Sequence, residues 1–90
     1  MNNKDLKELP YKFGDISGYF EMEHNSNLTS LKNCPNKVGY YFSCSDCPQL
    51  DSLEGCPKEV KDNFYCSDCK RKFTEKEVNS LCKVKKLILV

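Results

Sequence analysis

Seven cysteines stand in a chain of 90 residues, and four of them form two pairs, Cys44-x-x-Cys47 and Cys66-x-x-Cys69. Paired Cys-x-x-Cys knuckles about 15–20 residues apart are the spacing of a two-knuckle zinc site, and the stretch between these pairs, from Pro48 to Tyr65, has that length. Zinc bound by four thiolates has a closed coordination sphere. It would add folding free energy and would leave no position for a reacting water. The expected cofactor is therefore one structural Zn2+ on Cys44, Cys47, Cys66 and Cys69. Two other chemistries use the same residues. A redox Cys-x-x-Cys asks for a helix starting at the first cysteine in a βαβ setting, whereas each pair here ends an aromatic stretch. An iron–sulfur cluster can also sit on four thiolates, and it would colour the protein.

The remaining residues offer little for catalysis. Cys34 and Cys56 occupy equivalent Cys-Pro positions, and Cys82 follows a helical pattern. All three read as buried thiols that pack as small hydrophobes, although Cys34 and Cys56 could in principle share a metal or a disulfide. His24 is the one histidine, and it reads as a solvent-facing turn residue. The sequence holds no Gly-rich phosphate loop and no HExxH, and the neighbouring acids Glu21 and Glu23 have nothing evident beside them to raise a pKa. No enzyme is expected.

The elements that position the cysteines come from an internal repeat. A 22-residue offset lays Leu28 on Leu50, Leu31 on Leu53, Cys34-Pro35 on Cys56-Pro57, Val38 on Val60, Phe42 on Phe64 and Cys44-Ser45-Asp46-Cys47 on Cys66-Ser67-Asp68-Cys69, without a gap. One step earlier, Leu6, Leu9, Ile16 and Phe20 keep the apolar positions, while Met22 and Asn25 replace the two cysteines. The repeats are thus 6–27, 28–49 and 50–71. A period near 22 suits a leucine-rich coil of one strand and one return, each coil burying its apolar side on the next. The strands are expected at Gly18–Met22, Tyr40–Cys44 and Asn63–Cys66, with Phe20, Phe42 and Phe64 stacked on the inner face. Stacked coils would bring Cys44 beside Cys66 and Cys47 beside Cys69 at the ~4.8 Å spacing of neighbouring strands. Zinc–sulfur bonds of ~2.3 Å ask for sulfurs about 3.8 Å apart, so zinc would clip coil two to coil three. Pro10, Pro35 and Pro57 fall in the returns, and Gly14, Gly18, Gly39 and Gly55 ease the bends.

After Arg71 the repeat stops. Thr74 and Glu77 form a capping box, flanked by Phe73 and Val78 as a hydrophobic staple, so a short helix starts there. Leu87-Ile88-Leu89-Val90 reads as a buried strand. Residues 72–90 form a C-terminal cap that covers the open end of the stack, and Met1–Lys7 does the same to a lesser extent at the other end. The expected fold is one domain over residues 1–90, small and mixed β/α: a short, β-solenoid-like sheet of 22-residue repeats, stapled by zinc and closed by a helix and a strand.

Composition bounds the rest. Ninety residues with 39% hydrophobic and 30% charged content build a small core that commonly needs a staple. No apolar run approaches the ~20 residues that span a bilayer, and Met1–Pro10 has no secretory pattern. Cytosolic residence follows as an expectation, with no membrane partner. An odd number of thiols in a reducing compartment favours metal ligation over a disulfide scaffold. The net charge is +1, but residues 58–90 carry nine Lys or Arg against five acids, and residues 1–57 carry five against eight. Lys70, Arg71, Lys72, Lys83, Lys85 and Lys86 could touch phosphates, which makes a nucleic-acid adaptor the alternative function, although +1 is weak for a duplex binder. Strand alternation turns Tyr19, Tyr40, Tyr41 and Tyr65 outward. Together with nearby acids, a partner-binding face of Tyr19, Glu21, Glu23, Tyr41, Asp51 and Tyr65 is expected on a monomer; ordinary cross-strand packing of half-exposed tyrosines is the plain alternative.

The motif Leu-x-Ser-Leu-x-x-Cys-Pro-x-x-Val-x-x-x-Phe-x-Cys-Ser-Asp-Cys resembles short leucine-rich-like repeats of tailed-bacteriophage proteins, well over residues 28–71 and loosely over 6–27. A free-standing, zinc-stapled version is similar to the small phage-encoded anti-CRISPR proteins, among them zinc-containing inhibitors of the type II CRISPR effector nuclease. That resemblance implies a stoichiometric inhibitor in the cytoplasm of a bacterial host. It would dock on the effector and obstruct guide or target DNA loading. The thiol-free first repeat and the nonrepetitive tail depart from it, and they leave the docking face open.

Overall fold

The computed structural model describes residues 6–88. Met1–Asp5, the start of the expected N-terminal cover, and Leu89–Val90, the end of the expected last strand, lie outside the described residues. Five strands and one helix follow in order: β1 (Phe20–Glu21), β2 (Lys37–Val38), β3 (Phe42–Ser43), β4 (Glu59–Tyr65), α1 (Glu75–Leu81) and β5 (Lys83–Ile88). The result is a small compact mixed α/β chain with a parallel sheet and one helix.

The period of the sequence becomes the register of that sheet. Phe20 lies beside Phe42 and Phe42 beside Phe64, all in parallel pairing, while Lys37–Val38 lies beside Glu59–Val60. An isolated parallel bridge joins Ile16 to Val38. The ladder runs past the short strands: the amides of Phe20, Met22 and His24 donate to the carbonyls of Tyr41, Ser43 and Ser45, and those of Cys44 and Asp46 to the carbonyls of Tyr65 and Ser67. Each amide therefore reaches the carbonyl just before its own equivalent in the next repeat, which is how a parallel ladder advances from copy to copy.

Backbone conformations repeat with the sequence. His24, Asp46 and Asp68 all take positive φ, at 63°, 56° and 56°. The third residue of each knuckle is thus a left-handed turn residue, a conformation that Asp tolerates better than most side chains. Asn33 and Gly55, again one repeat apart, form a second such pair with φ of 74° and 92°. The return turns also match, Cys34 N–H bonding to Leu31 and Cys56 N–H to Leu53.

Apolar columns fill the interior between strands and returns. Leu9, Leu31 and Leu53, Leu28 and Leu50, Val38 and Val60, and the three phenylalanines are all buried. The rings of Phe20 and Phe42 stack 6.3 Å apart at 7°, and Phe42 and Phe64 lie 5.0 Å apart. Such ring pairs add to the area they bury.

The capping box at Thr74 is present: its hydroxyl accepts from Glu77 N–H and the Glu77 carboxylate accepts from Thr74 N–H. Phe73 and Val78, the two residues of the expected staple, are both buried. Glu77 also accepts from both terminal guanidinium nitrogens of Arg71. Those Arg71 bonds, with the Thr74 amide, depress the Glu77 carboxyl from an ordinary 4.5 to about 2. A depressed carboxyl contributes stability above its unfolded pKa and loses it as pH falls through the folded value. Glu77→Gln is therefore expected to melt a few degrees below the parent at pH 7, with the gap closing between about pH 4.5 and pH 2. Melting curves by circular dichroism check this; a gap that persists at pH 2 refutes it. The chain then turns into β5, which pairs with β4 from Glu59↔Lys83 to Tyr65↔Ile88 with a bulge between Val60 and Asn63.

Candidate functional site

Residues alternate along the aromatic strands, so the face opposite the phenylalanines carries three columns. Tyr19, Tyr41 and Asn63 form the first, Glu21, Ser43 and Tyr65 the second, and Glu23, Ser45 and Ser67 the third. The serines at the centre are small, and that leaves a depression of about 390 Å3 lined by Glu21, Glu23, Tyr41, Ser43, Ser45, Tyr65 and Ser67. Ser43 and Ser45 are buried at 1% and 7% exposure and make its floor. Hydrogen bonds tie the columns together: Tyr41 hydroxyl to Glu21, Ser43 hydroxyl to Glu23 at 2.9 Å, Ser67 hydroxyl to Ser45 at 3.2 Å and Asn63 amide to Tyr65 hydroxyl at 2.8 Å. Donation to the Glu21 carboxylate, then burial, holds the Tyr41 phenol well above its usual range, so it remains a donor. Tyr19 stacks on Tyr41 at 5.0 Å and 4°, and Tyr40 and Tyr65 meet Tyr41 edge-on.

Of the six residues expected at a docking face, Tyr41, Tyr65, Glu21 and Glu23 line this depression and Tyr19 extends it. Asp51 does not line it. Its carboxylate lies 3.8 Å from Lys70, and its carbonyl accepts from Arg71. The three serines are not among the expected residues. Their signal is present in the repeat, since positions 43, 45 and 67 fall in the same outward columns as the tyrosines and glutamates.

Four of the expected basic residues are placed by their neighbours. Arg71 is held by Glu77 and Asp51 and lies 4.7 Å from the centre of the Phe73 ring. Lys70 is paired with Asp51. Lys83 and Lys85 line a separate depression with Glu59, Val60, Lys61 and Val84.

The four knuckle cysteines cluster around Cys44, which lies within electrostatic reach of Cys47, Cys66 and Cys69. Their thiols make a ladder. Cys47 donates to the Met22 carbonyl and Cys69 to the Cys44 carbonyl, each at 3.2 Å. Asn25, the equivalent residue of the first repeat, is buried and donates to the Met22 carbonyl at 2.6 Å. In return, the backbone N–H of Asn25 donates to the Cys47 sulfur and the backbone N–H of Cys47 to the Cys69 sulfur. Burial pushes the thiols of Cys47 and Cys66 up to about 11 and about 12. The hydrogen bond to Cys69, then burial, raises Cys44, and the same bond lowers Cys69 against the opposing effect of its burial. Among the described residues, no group of three or more His, Cys, Asp or Glu side chains is arranged to hold a metal ion. The donor chemistry suits zinc, whereas the sulfurs as placed serve the backbone.

The other thiols pack as expected: Cys34, Cys56 and Cys82 are buried, and Cys34 contacts the Met22 sulfur at 3.5 Å. Burial drives the Cys34 thiol up to about 12. His24 is exposed and faces Asp46 at 3.3 Å. No described helix is long and apolar enough to cross a membrane.

No protein-family model matches the sequence, and no curated protein or solved structure is significantly similar to it.

Proposed function

We propose that this chain is a non-catalytic binding module, a short β-solenoid-like stack of three 22-residue repeats that docks a protein partner through its tyrosine, serine and glutamate face. One observation carries the reading: a depression continuous across three repeats, with half-buried carboxylates and tyrosines around a hydroxyl floor. Exposed aromatic rings rimmed by polar groups are the composition of protein interfaces. The buried thiols, most of them held in the protonated form, are poor nucleophiles at neutral pH, which supports a role without chemistry.

The resemblance to phage anti-CRISPR proteins nominates the first partner, a type II CRISPR effector nuclease in a bacterial cytoplasm. An acidic docking face would match a positively charged nucleic-acid channel. Target-DNA cleavage by guide-loaded effectors, titrated with the purified chain, tests it. Inhibition near equal molar ratio is expected, and its absence across several effectors removes this partner. The nucleic-acid alternative is weakened because Lys70 and Arg71 are engaged internally. Steep salt dependence of binding to free DNA would restore it.

A zinc staple on Cys44, Cys47, Cys66 and Cys69 belongs to the same proposal. Its support is the gathering of four thiols around Cys44 and the amide donors to the Cys47 and Cys69 sulfurs, since thiolates bound to zinc accept such bonds. Loading would require Cys47 and Cys69 to release their carbonyl contacts. Native mass spectrometry is expected to find one zinc per chain, lost in Cys66→Ser together with a lowered Tm. A metal-free chain whose Tm does not respond to zinc would leave the thiols as a packing ladder alone.

A further inference from the structure

We propose that the depression over β1, β3 and β4 receives an arginine side chain presented by the docked protein; this rests on the reading of that face as the docking surface. Charge gives the first argument. Glu21 and Glu23 stand one repeat before Ser43 and Ser45, so both carboxylates lie at one rim of the depression over a floor of hydroxyls. Glu23 is half-buried, and the partner of its carboxylate among the described residues is the Ser43 hydroxyl, at 2.9 Å, with no described cation paired to it. A carboxylate shielded from water in this way favours an incoming cation.

Shape and chemistry choose the cation. The wall that adjoins this rim is made of the Tyr41 and Tyr65 rings, whose planes stand at 83° with centroids 5.7 Å apart, and the Tyr41 hydroxyl reaches Glu21. A flat group entering the depression meets both aromatic surface and oxygen acceptors. Guanidinium has both properties: it stacks on rings, it is weakly hydrated, and its five N–H donors lie in a plane that matches carboxylates. The lining supplies oxygen acceptors, the carboxylates of Glu21 and Glu23 and the hydroxyls of Ser43 and Ser67, while the Ser45 hydroxyl already accepts from Ser67. Lysine ammonium is a compact, strongly hydrated charge that gains less from the rings. The Tyr41 phenol, held protonated by Glu21, keeps the wall neutral and the Glu21 carboxylate oriented. A volume of about 390 Å3 holds one such side chain with its stem.

The test uses the full chain, labelled with nitrogen-15 and titrated with acetyl-Gly-Arg-Gly amide, its lysine counterpart and the all-glycine control. The arginine peptide is expected to shift the amides of Tyr41, Ser43, Ser45, Tyr65 and Ser67 and to bind at least about threefold more tightly than the lysine peptide. Glu23→Gln and Glu21→Gln, which keep the local hydrogen-bonding shape, are each expected to weaken it about fivefold or more while leaving the rest of the spectrum in place. Equal shifts with the glycine control, equal affinity for lysine, or no change in Glu23→Gln would each overturn the proposal. Nuclease inhibition that survives Glu23→Gln would overturn it too, while leaving the docking function standing.

Discussion

Phe42→Ala is expected to remove a large share of the stability of this chain. Phe42 is the middle ring of three, fully buried, with Phe20 on one side and Phe64 on the other. Truncating a core phenylalanine costs about 3–5 kcal/mol, because the lost transfer energy adds to the cavity left behind. A folded chain of 90 residues has roughly 4–13 kcal/mol in total, so one substitution takes from about a quarter of it to all of it. The parallel register makes collapse of the cavity difficult. Filling it would require the first and third repeats to approach, and both are fixed to the second by ladder hydrogen bonds from Phe20 to Tyr41 and from Cys44 to Tyr65. Phe20→Ala is the internal comparison. Phe20 ends the column, retains 8% exposure and is covered by Phe13, which meets it edge-on at 5.3 Å, so its loss leaves a site with one ring neighbour in the column and is expected to cost less. Urea denaturation of both variants by circular dichroism measures the difference. Equal losses at the two positions would show that the ring column does not act as a continuous core.

The repeat made the register legible before any coordinates. An unbroken offset that places Phe on Phe and Val on Val leaves one parallel alignment that keeps every apolar residue inside, because a slip of one residue would turn the whole set outward. The capping box at Thr74 was equally plain, since its two residues signal through local hydrogen bonds alone. The thiols were harder to read. Spacing places the α-carbons of Cys44 and Cys66 side by side, but the direction of each sulfur depends on χ1 and on which backbone groups lack a partner. Asn25 held the clue. An amide side chain in the first repeat at the position of Cys47 and Cys69 marks a site that donates to the backbone, and the two cysteines do so here. Asp51 stands apart from the depression for a similar reason. Its partners Lys70 and Arg71 reach it only because the chain after Cys69 returns beside Leu50, where Lys70 N–H bonds to the Leu50 carbonyl. That path depends on the turn following the knuckle, which residue types alone do not specify.

Four glycines look alike in the sequence, and the structure separates them. Gly39→Ala is expected to cost at least about 3 kcal/mol, the upper end of ordinary overpacking. A β-carbon there would sit 2.3 Å from the Ser17 carbonyl oxygen and 2.8 Å from its carbonyl carbon, in the preceding repeat. Backbone against backbone cannot yield by a rotamer change. Retreat is blocked as well, because Gly39 N–H bonds to the Ile16 carbonyl at 2.7 Å and Tyr40 N–H to the Gly18 carbonyl at 3.0 Å, pinning the two repeats on either side of the contact. Gly55 carries a double constraint, with φ of 92° and a β-carbon position 2.8 Å from the Leu31 carbonyl carbon and the Lys32 nitrogen. Its alanine variant should therefore lose a comparable amount. Gly14 and Gly18 have open space for a β-carbon. Alanine at either is expected to change stability by less than about 1 kcal/mol, with any gain coming from reduced freedom of the unfolded chain. Chemical denaturation of the four alanine variants decides the matter: Gly39 and Gly55 should fall together, well below the other two. A uniform small loss at all four would mean that neighbouring repeats do not approach as closely as the ladder requires, and the outward columns that form the serine floor would lose their alignment with it.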